Sequence, residues 1–173
     1  MPGLVIIGNC CADLYIPPHD PPPPGGIERI SRPRVELGGS GANTAVTAAR
    51  LGVPTALAGV LGDDVFGGHL RELLTAEGID LSLLLTRESC GAPVTLVLND
   101  QAGERSFVHH GGSNDSWELP TAALAKPWDV FHMAAPELLG SFWPNPCLDT
   151  ARSVKSAGIR SEEHTSELQS RET

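Results

Sequence analysis

The sequence predicts an α/β domain, with helices on both faces of a parallel sheet and a small antiparallel hairpin beside it. The run Leu4–Gly8 is short, apolar and β-branched in its middle, as expected for a strand buried on both faces. Similar runs, at Thr55–Leu61 and Asp129–Met133, alternate with helical stretches, which favours a helix-covered sheet. The segments Pro93–Leu98 and Arg105–His109 flank a short turn with glycine and predict the hairpin.

The remaining elements follow in chain order. Pro17–Gly26 is rich in proline and predicts an exposed loop, because proline cannot continue a helix or a central strand. Ile27–Leu37 alternates loosely and predicts an edge strand or strand pair. Helices are predicted where alanine-rich or amphipathic stretches end at a glycine, at Ala42–Leu51, Gly67–Glu77 and Cys147–Ala157.

Composition narrows the classes of function. A net charge of −9 argues against a nucleic-acid partner, which requires a basic face. No apolar run approaches the ~20 residues that span a membrane, and Leu4–Gly8 is too short for a signal-peptide core. The four cysteines form no CxxC pair, which predicts buried thiols rather than a metal site. We therefore expect a cytoplasmic protein without a bound metal.

The densest motif is Gly38–Ala45, with the sequence GGSGANTA, directly before a predicted helix. Glycines there let a ligand approach the backbone and expose the first N–H groups of the helix. The amide of Asn43 can both donate and accept hydrogen bonds. These properties suit the binding of a polyhydroxylated ligand.

Three other interpretations of this motif compete with binding of a polyhydroxylated ligand. A P-loop requires a lysine after the glycines, and none follows. A dinucleotide fingerprint needs a third glycine where Thr44 stands, although Asp63 lies about 20 residues further on. A nucleotide-dependent oxidoreductase therefore stays a weak alternative, and so does a glycine-rich turn that only begins a helix.

The longer pattern, in which Gly38–Ala45 is followed by Gly52 and Gly62, resembles the N-terminal signature of PfkB or ribokinase-like carbohydrate kinases. Its neighbours agree with this family. Asp13 ends the loop after the first strand, where the family has a sugar-binding aspartate, and Gly62–Gly67 is similar to a further family segment. The hairpin, followed by Gly111–Asp115, is similar to the family's lid strands and the turn after them. The resemblance extends from about Leu4 to Ile159.

This resemblance implies a ribokinase-like, Rossmann-like sheet with an antiparallel β lid formed by residues 27–37 and 93–110. It implies substrate binding by Asp13, Gly38, Gly39 and Asn43, a lid contact at His110 and a homodimer formed through the lid. Full-length members use ATP and Mg²⁺ to phosphorylate a sugar or sugar-like alcohol.

Two positions depart from ribokinases, which have a lysine at Ser40 and an asparagine at Cys11; these departures put ribose in doubt. Outside the motif, Asp63 and Asp64 are expected to cap the helix near Gly67. Adjacent residues on a strand point to opposite faces, so His109 and His110 cannot both ligate one metal ion.

The catalytic base and anion hole of this family come from a Gly-Ala-Gly-Asp-like motif in the C-terminal half. That motif is absent here, so no catalytic residue is assigned. We expect a truncated domain, residues 1–159, that keeps the substrate-binding half and is itself inactive. The alternative is a non-catalytic sugar- or nucleoside-binding protein.

Composition changes at about residue 159, where the chain becomes polar and lacks strand character. The run Arg160–Ser170 resembles the conceptual translation of a sequencing-library adapter. We therefore expect residues 160–173 to be a non-native, disordered tail; the alternative is a genuine acidic, disordered tail.

Overall fold

A computed structural model describes residues 3–18, 22–88, 90–120, 123 and 128–164 of the chain. Its strands are β1 (Leu4–Gly8), β2 (Cys11–Ile16), β3 (Arg34–Gly38), β4 (Thr55–Gly62), β5 (Leu84–Arg87), β6 (Val94–Asn99), β7 (Arg105–His110), β8 (Val130–Ala134) and β9 (Arg160–His164). Its helices are α1 (Ser40–Arg50), α2 (Val65–Ala76) and α3 (Asn145–Ser156), and a short 3-10 helix covers Gly112–Ser116.

The central sheet has five strands in the order β5-β4-β1-β8-β9, all parallel. Its middle strand, β1, is apolar throughout because both of its faces are buried. Val5 and Ile7 pack in one core with α3, and Ile6 packs in another with α1 and α2. The predicted α/β class, with helices on both faces of a parallel sheet, is confirmed.

The second sheet, called the lid sheet below, has the order β3-β2-β6-β7. The hairpin β6–β7 is confirmed, and β2 joins it in parallel while pairing antiparallel with β3. Two details of the sequence prediction were wrong. Residues 27–33 are not a strand; β3 begins directly after Pro33, which lacks the N–H group that a ladder requires. Asp13 does not end a loop but lies within β2, whose polar residues share one face.

The strand β9 corrects the prediction that disorder begins at residue 160. Arg160–His164 pairs in parallel with β8, in the register Val130↔Arg160. Arg160, Ser161, Glu162 and Glu163 are all exposed, so the pairing depends on the backbone, which satisfies the hydrogen-bonding edge of β8. Residues 165–173 lie outside the described residues. No described helix is long and apolar enough to span a bilayer.

Asp64 fixes the beginning of α2. Its Oδ1 accepts a hydrogen bond from the Gly67 N–H at 2.8 Å, and its Oδ2 accepts one from the Ala92 N–H at 3.0 Å. The predicted capping role is therefore confirmed for Asp64. The neighbouring Asp63 is exposed, and its side chain makes no hydrogen bond within the described residues.

We predict that Asp64→Ala lowers the free energy of unfolding by about 1–3 kcal/mol, because it removes a helix cap and leaves the Ala92 N–H without its partner. Asp63→Ala is the matched control and is expected to change stability by less than about 0.5 kcal/mol. Urea denaturation of both variants checks this. Equal losses in the two variants would contradict the assignment.

Candidate active-site region

The candidate site is built on a close contact between the end of β1 and the start of α1. A Cβ atom placed on Gly41 would lie 2.6 Å from the carbonyl carbon of Gly8, and one on Gly8 would lie 2.6 Å from the Cα of Gly41. No side chain fits between them. The Ala42 N–H also donates to the backbone oxygen of Asn9 at 3.1 Å, so the helix begins directly against the strand.

Asn9 caps α1 from the strand side. Its Oδ1 accepts hydrogen bonds from the backbone N–H of Ser40 at 2.9 Å and from the Ser40 hydroxyl at 2.7 Å. The residue before the helix, Gly39, has a φ of 94° and lies so close that a Cβ there would be 2.6 Å from the Asn9 oxygen. Sequence reasoning missed Asn9, although an asparagine directly after a buried strand is a recognisable signal.

Asp13 lies on β2 over the backbone of Gly38. A Cβ on Gly38 would lie 2.2 Å from the Asp13 Cγ and 2.3 Å from each carboxylate oxygen. Gly38 therefore leaves the space that the carboxylate occupies. The Cys11 thiol donates to Asp13 Oδ1 at 3.2 Å, while Oδ2 accepts no hydrogen bond within the described residues.

A polar row crosses the lid sheet at Asp13. Strand register places Glu36, Asp13, Thr95 and His109 side by side on successive strands. The Thr95 hydroxyl lies 2.9 Å from His109 Nδ1 and 3.6 Å from the Cys11 sulfur. The row thus links the carboxylate to the outer strand of the lid sheet.

Burial keeps the two adjacent cysteines protonated. The pKa of the Cys11 thiol is raised from 9.0 to about 12, first by burial and then by the negative charge of Asp13. Burial also raises the pKa of Cys10, and Cys11 and Asp13 add to the effect. Cys11 is therefore a neutral hydrogen-bond donor at physiological pH rather than a nucleophile.

The structure places the Asp13 carboxylate against Gly38, and Gly39 follows directly at the start of α1. Asn43 is exposed in the first turn of α1, where it lines a groove of about 430 Å³ with Glu36. His110 is paired with Val94 and lies on the face of the lid sheet opposite Asp13. The histidine on the Asp13 face is His109, which was not among the residues predicted to contact the ligand.

Comparisons with known proteins find relatives along most of the chain. A family model described as pfkB family carbohydrate kinase matches residues 1–159. A ribokinase from Arabidopsis thaliana is 30% identical over 164 residues, which cover 91% of this chain and 42% of that protein. A nucleoside kinase from Methanothermobacter thermautotrophicus is 33% identical over 133 residues, covering 76% of this chain and 43% of that protein.

The same relationship is visible among solved structures. The structure of Arabidopsis thaliana ribokinase complexed with ribose and ATP superposes with a TM-score of 0.82 at 25% identity. The superposition covers 94% of this chain and 53% of that one. The chain therefore spans about half the length of the relatives that it matches.

We predict that Gly39→Ala is more destabilising than Gly52→Ala. Both glycines have positive φ, 94° and 82°, but a Cβ on Gly52 meets nothing within 4 Å. Gly52→Ala thus reports the backbone strain alone, about 1–2 kcal/mol, and Gly39→Ala adds an overlap worth a further ~1–3 kcal/mol. Urea denaturation measures the difference, and equal losses would show that the Asn9 contact is not tight.

We also predict that Cys11 lowers stability in alkaline solution. Above pH 9.0 the unfolded thiol ionises, whereas the folded thiol keeps its proton up to about pH 12, so the folded state binds more protons and stability falls as the pH rises. Cys11→Ser should therefore show a shallower fall across this interval. Urea denaturation at a series of pH values tests this, and an unchanged slope would contradict it.

Proposed function

Because this chain belongs to the pfkB family of carbohydrate kinases, we propose that it forms the sugar-binding part of an ATP-dependent kinase. The kinase would phosphorylate a hydroxyl group of a sugar or a sugar-like alcohol. The observation that carries this proposal is the Asp13 carboxylate, which is fixed over the glycines that begin α1 and keeps Oδ2 available. An ionised carboxylate accepts strong hydrogen bonds from sugar hydroxyls.

The residues around Asp13 support a broad substrate class rather than ribose in particular. The Ser40 hydroxyl is bound to Asn9, and the Cys11 thiol is bound to Asp13. Both donors are thus already used within the protein. Relatives of this chain include ribokinases, a fructokinase from Escherichia coli and a nucleoside kinase. We propose a sugar, a sugar-like alcohol or a nucleoside as the ligand, bound by Asp13, Gly38, Gly39 and Asn43.

Phosphoryl transfer needs more than this ligand site. It requires a base for the attacking hydroxyl and a preorganised cluster of donors for the transferred phosphate. At the start of α1, the Ser40 N–H is already satisfied by Asn9. Within the described residues, no three histidine, cysteine or acidic side chains come together to hold a metal ion.

We therefore propose that ATP, Mg²⁺ and the catalytic aspartate belong to the full-length kinase, and that this chain alone transfers no phosphate. Use of ATP is supported by the related ribokinase, whose structure contains ribose and ATP. We further propose that residues 160–173 are non-native and that the enzyme acts in the cytoplasm.

A homodimer formed through the lid sheet is also proposed. Its support is the outer strand β7, all of whose residues are exposed. Phe107 and Val108 on this strand are 53% and 56% exposed. An edge strand that presents both unpaired backbone groups and apolar side chains is suited to pairing with a second chain.

We predict that the chain binds at least one of D-ribose, D-fructose and adenosine, and that Asp13→Asn weakens this binding by roughly tenfold or more, since it removes a charge-assisted hydrogen bond. Asp149→Asn is the matched control; this residue is exposed on α3 and pairs only with Arg152 among the described residues. Isothermal titration calorimetry measures the affinities.

The same ligands distinguish the competing functions. No transfer of ³²P from ATP is expected with the chain alone, and measurable turnover would overturn the proposed inactivity. Binding of none of the three ligands, together with tight binding of NAD, would favour an oxidoreductase. A complete gene that encodes no Gly-Ala-Gly-Asp-like motif would favour a non-catalytic binding protein.

A further inference from the structure

A continuous line of side chains connects the outer strand of the lid sheet to the carboxylate of Asp13. It runs from His109 on β7 through Thr95 on β6 to Cys11 and Asp13 on β2. The successive distances are 2.9 Å from His109 Nδ1 to the Thr95 hydroxyl, 3.6 Å from that hydroxyl to the Cys11 sulfur, and 3.2 Å from the sulfur to Asp13 Oδ1. We call these four residues the relay.

The protons that these four residues carry fix which atom donates and which accepts in each hydrogen bond of the relay. The Asp13 carboxylate only accepts hydrogen bonds, so the Cys11 thiol must donate to it. The Thr95 hydroxyl has a single proton, and donating it to the Cys11 sulfur leaves only its lone pairs for His109. His109 must then donate through an N–H at Nδ1, which places the lone pair of the neutral ring on Nε2.

The opposite arrangement makes fewer hydrogen bonds. If Nδ1 were the acceptor, the Thr95 proton would point to His109 and the sulfur of Cys11 would lose its donor. Thr95 and Cys11 are 8% and 4% exposed, so solvent does not readily replace that donor. In the first arrangement, all three donors point towards the negative charge of Asp13, and hydrogen bonds aligned in this way strengthen one another.

The Cys11 thiol must stay protonated for the relay to exist. Burial and the charge of Asp13 raise its pKa to about 12, so the proton remains on sulfur at physiological pH. Serine would supply a similar donor at this position, whereas alanine would supply none.

We propose that His109 is a positioning residue for the ligand site: through Thr95 and Cys11 it holds Asp13 Oδ1, so that Oδ2 is the oxygen that meets the ligand hydroxyl. The role in ligand binding rests on the function proposed above, whereas the relay itself does not. Because His109 and Thr95 belong to the hairpin β6–β7, the relay also makes the orientation of Asp13 depend on the correct register of the lid sheet.

Two spectroscopic measurements on the whole chain without ligand test the relay. Long-range ¹H–¹⁵N NMR of the neutral His109 ring should show the tautomer protonated at Nδ1. The infrared S–H band of Cys11, assigned by its loss in Cys11→Ser, should shift in Thr95→Val and in His109→Phe, and should return towards the wild-type position in Thr95→Ser. The tautomer protonated at Nε2, or an S–H band that is unchanged in Thr95→Val, would overturn the proposal.

Ligand affinity tests the consequence, using whichever of D-ribose, D-fructose and adenosine binds the wild type. Thr95→Val and His109→Phe should each weaken binding roughly fivefold, the loss expected for one hydrogen bond. The double variant should bind the ligand no more weakly than either single variant, because both substitutions interrupt the same relay. Thr86→Val is the control, since the hydroxyl of this exposed strand threonine hydrogen-bonds only with Arg71 among the described residues.

The outcomes separate the two proposals. Independent, additive losses, or no loss in Thr95→Val, would overturn the positioning role even if the ligand binds. If none of the three ligands binds the wild type, the proposed function fails, and the tautomer and the S–H band still decide whether the relay exists.

Discussion

The contact between Gly8 and Gly41 is the constraint on which the arrangement of this chain depends. With no side chain on either residue, the end of the central strand and the first turn of α1 approach until a Cβ on either would lie only 2.6 Å from the other's backbone. An alanine at either position would force strand and helix apart. The proposed ligand-binding residues Asp13, Gly38, Gly39 and Asn43 all lie within a few residues of Gly8 or Gly41 along the chain.

The consequences follow along residues 8–13. Gly8 has no side chain, so α1 can begin directly against β1, and Asn9 accepts a hydrogen bond from the first N–H of that helix. Cys11 then begins the strand that carries Asp13 into the lid sheet. Because these roles succeed one another within one short segment, Asp13 has little freedom relative to the start of α1. Gly38, at the other side of the same junction, leaves room for the carboxylate. A fixed carboxylate beside a helix start is what a polyhydroxylated ligand requires, since less conformational freedom is lost on binding.

Sequence reasoning was successful where a pattern has a single structural solution. The apolar run of β1, the glycines before α1 and the hairpin were all predictable, and so was the grouping of Asp13 with Gly38 and Gly39. It was less successful where pairing across the fold decides the outcome. β9 is polar and exposed, and only the unpaired edge of β8 explains it. Likewise, strand register decides whether His109 or His110 shares a face of the lid sheet with Asp13, and the sequence does not encode that register locally.

The ligand site is proposed to lie where Asp13 faces the glycines that begin α1. Backbone amide NMR of the chain, titrated with D-ribose, D-fructose or adenosine, tests this most directly. We predict that the largest chemical-shift changes fall on Asp13, Gly38, Gly39 and the first turn of α1. Changes confined to a distant surface, such as the cleft of about 310 Å³ lined by Pro17, Pro18 and Arg32, would contradict it.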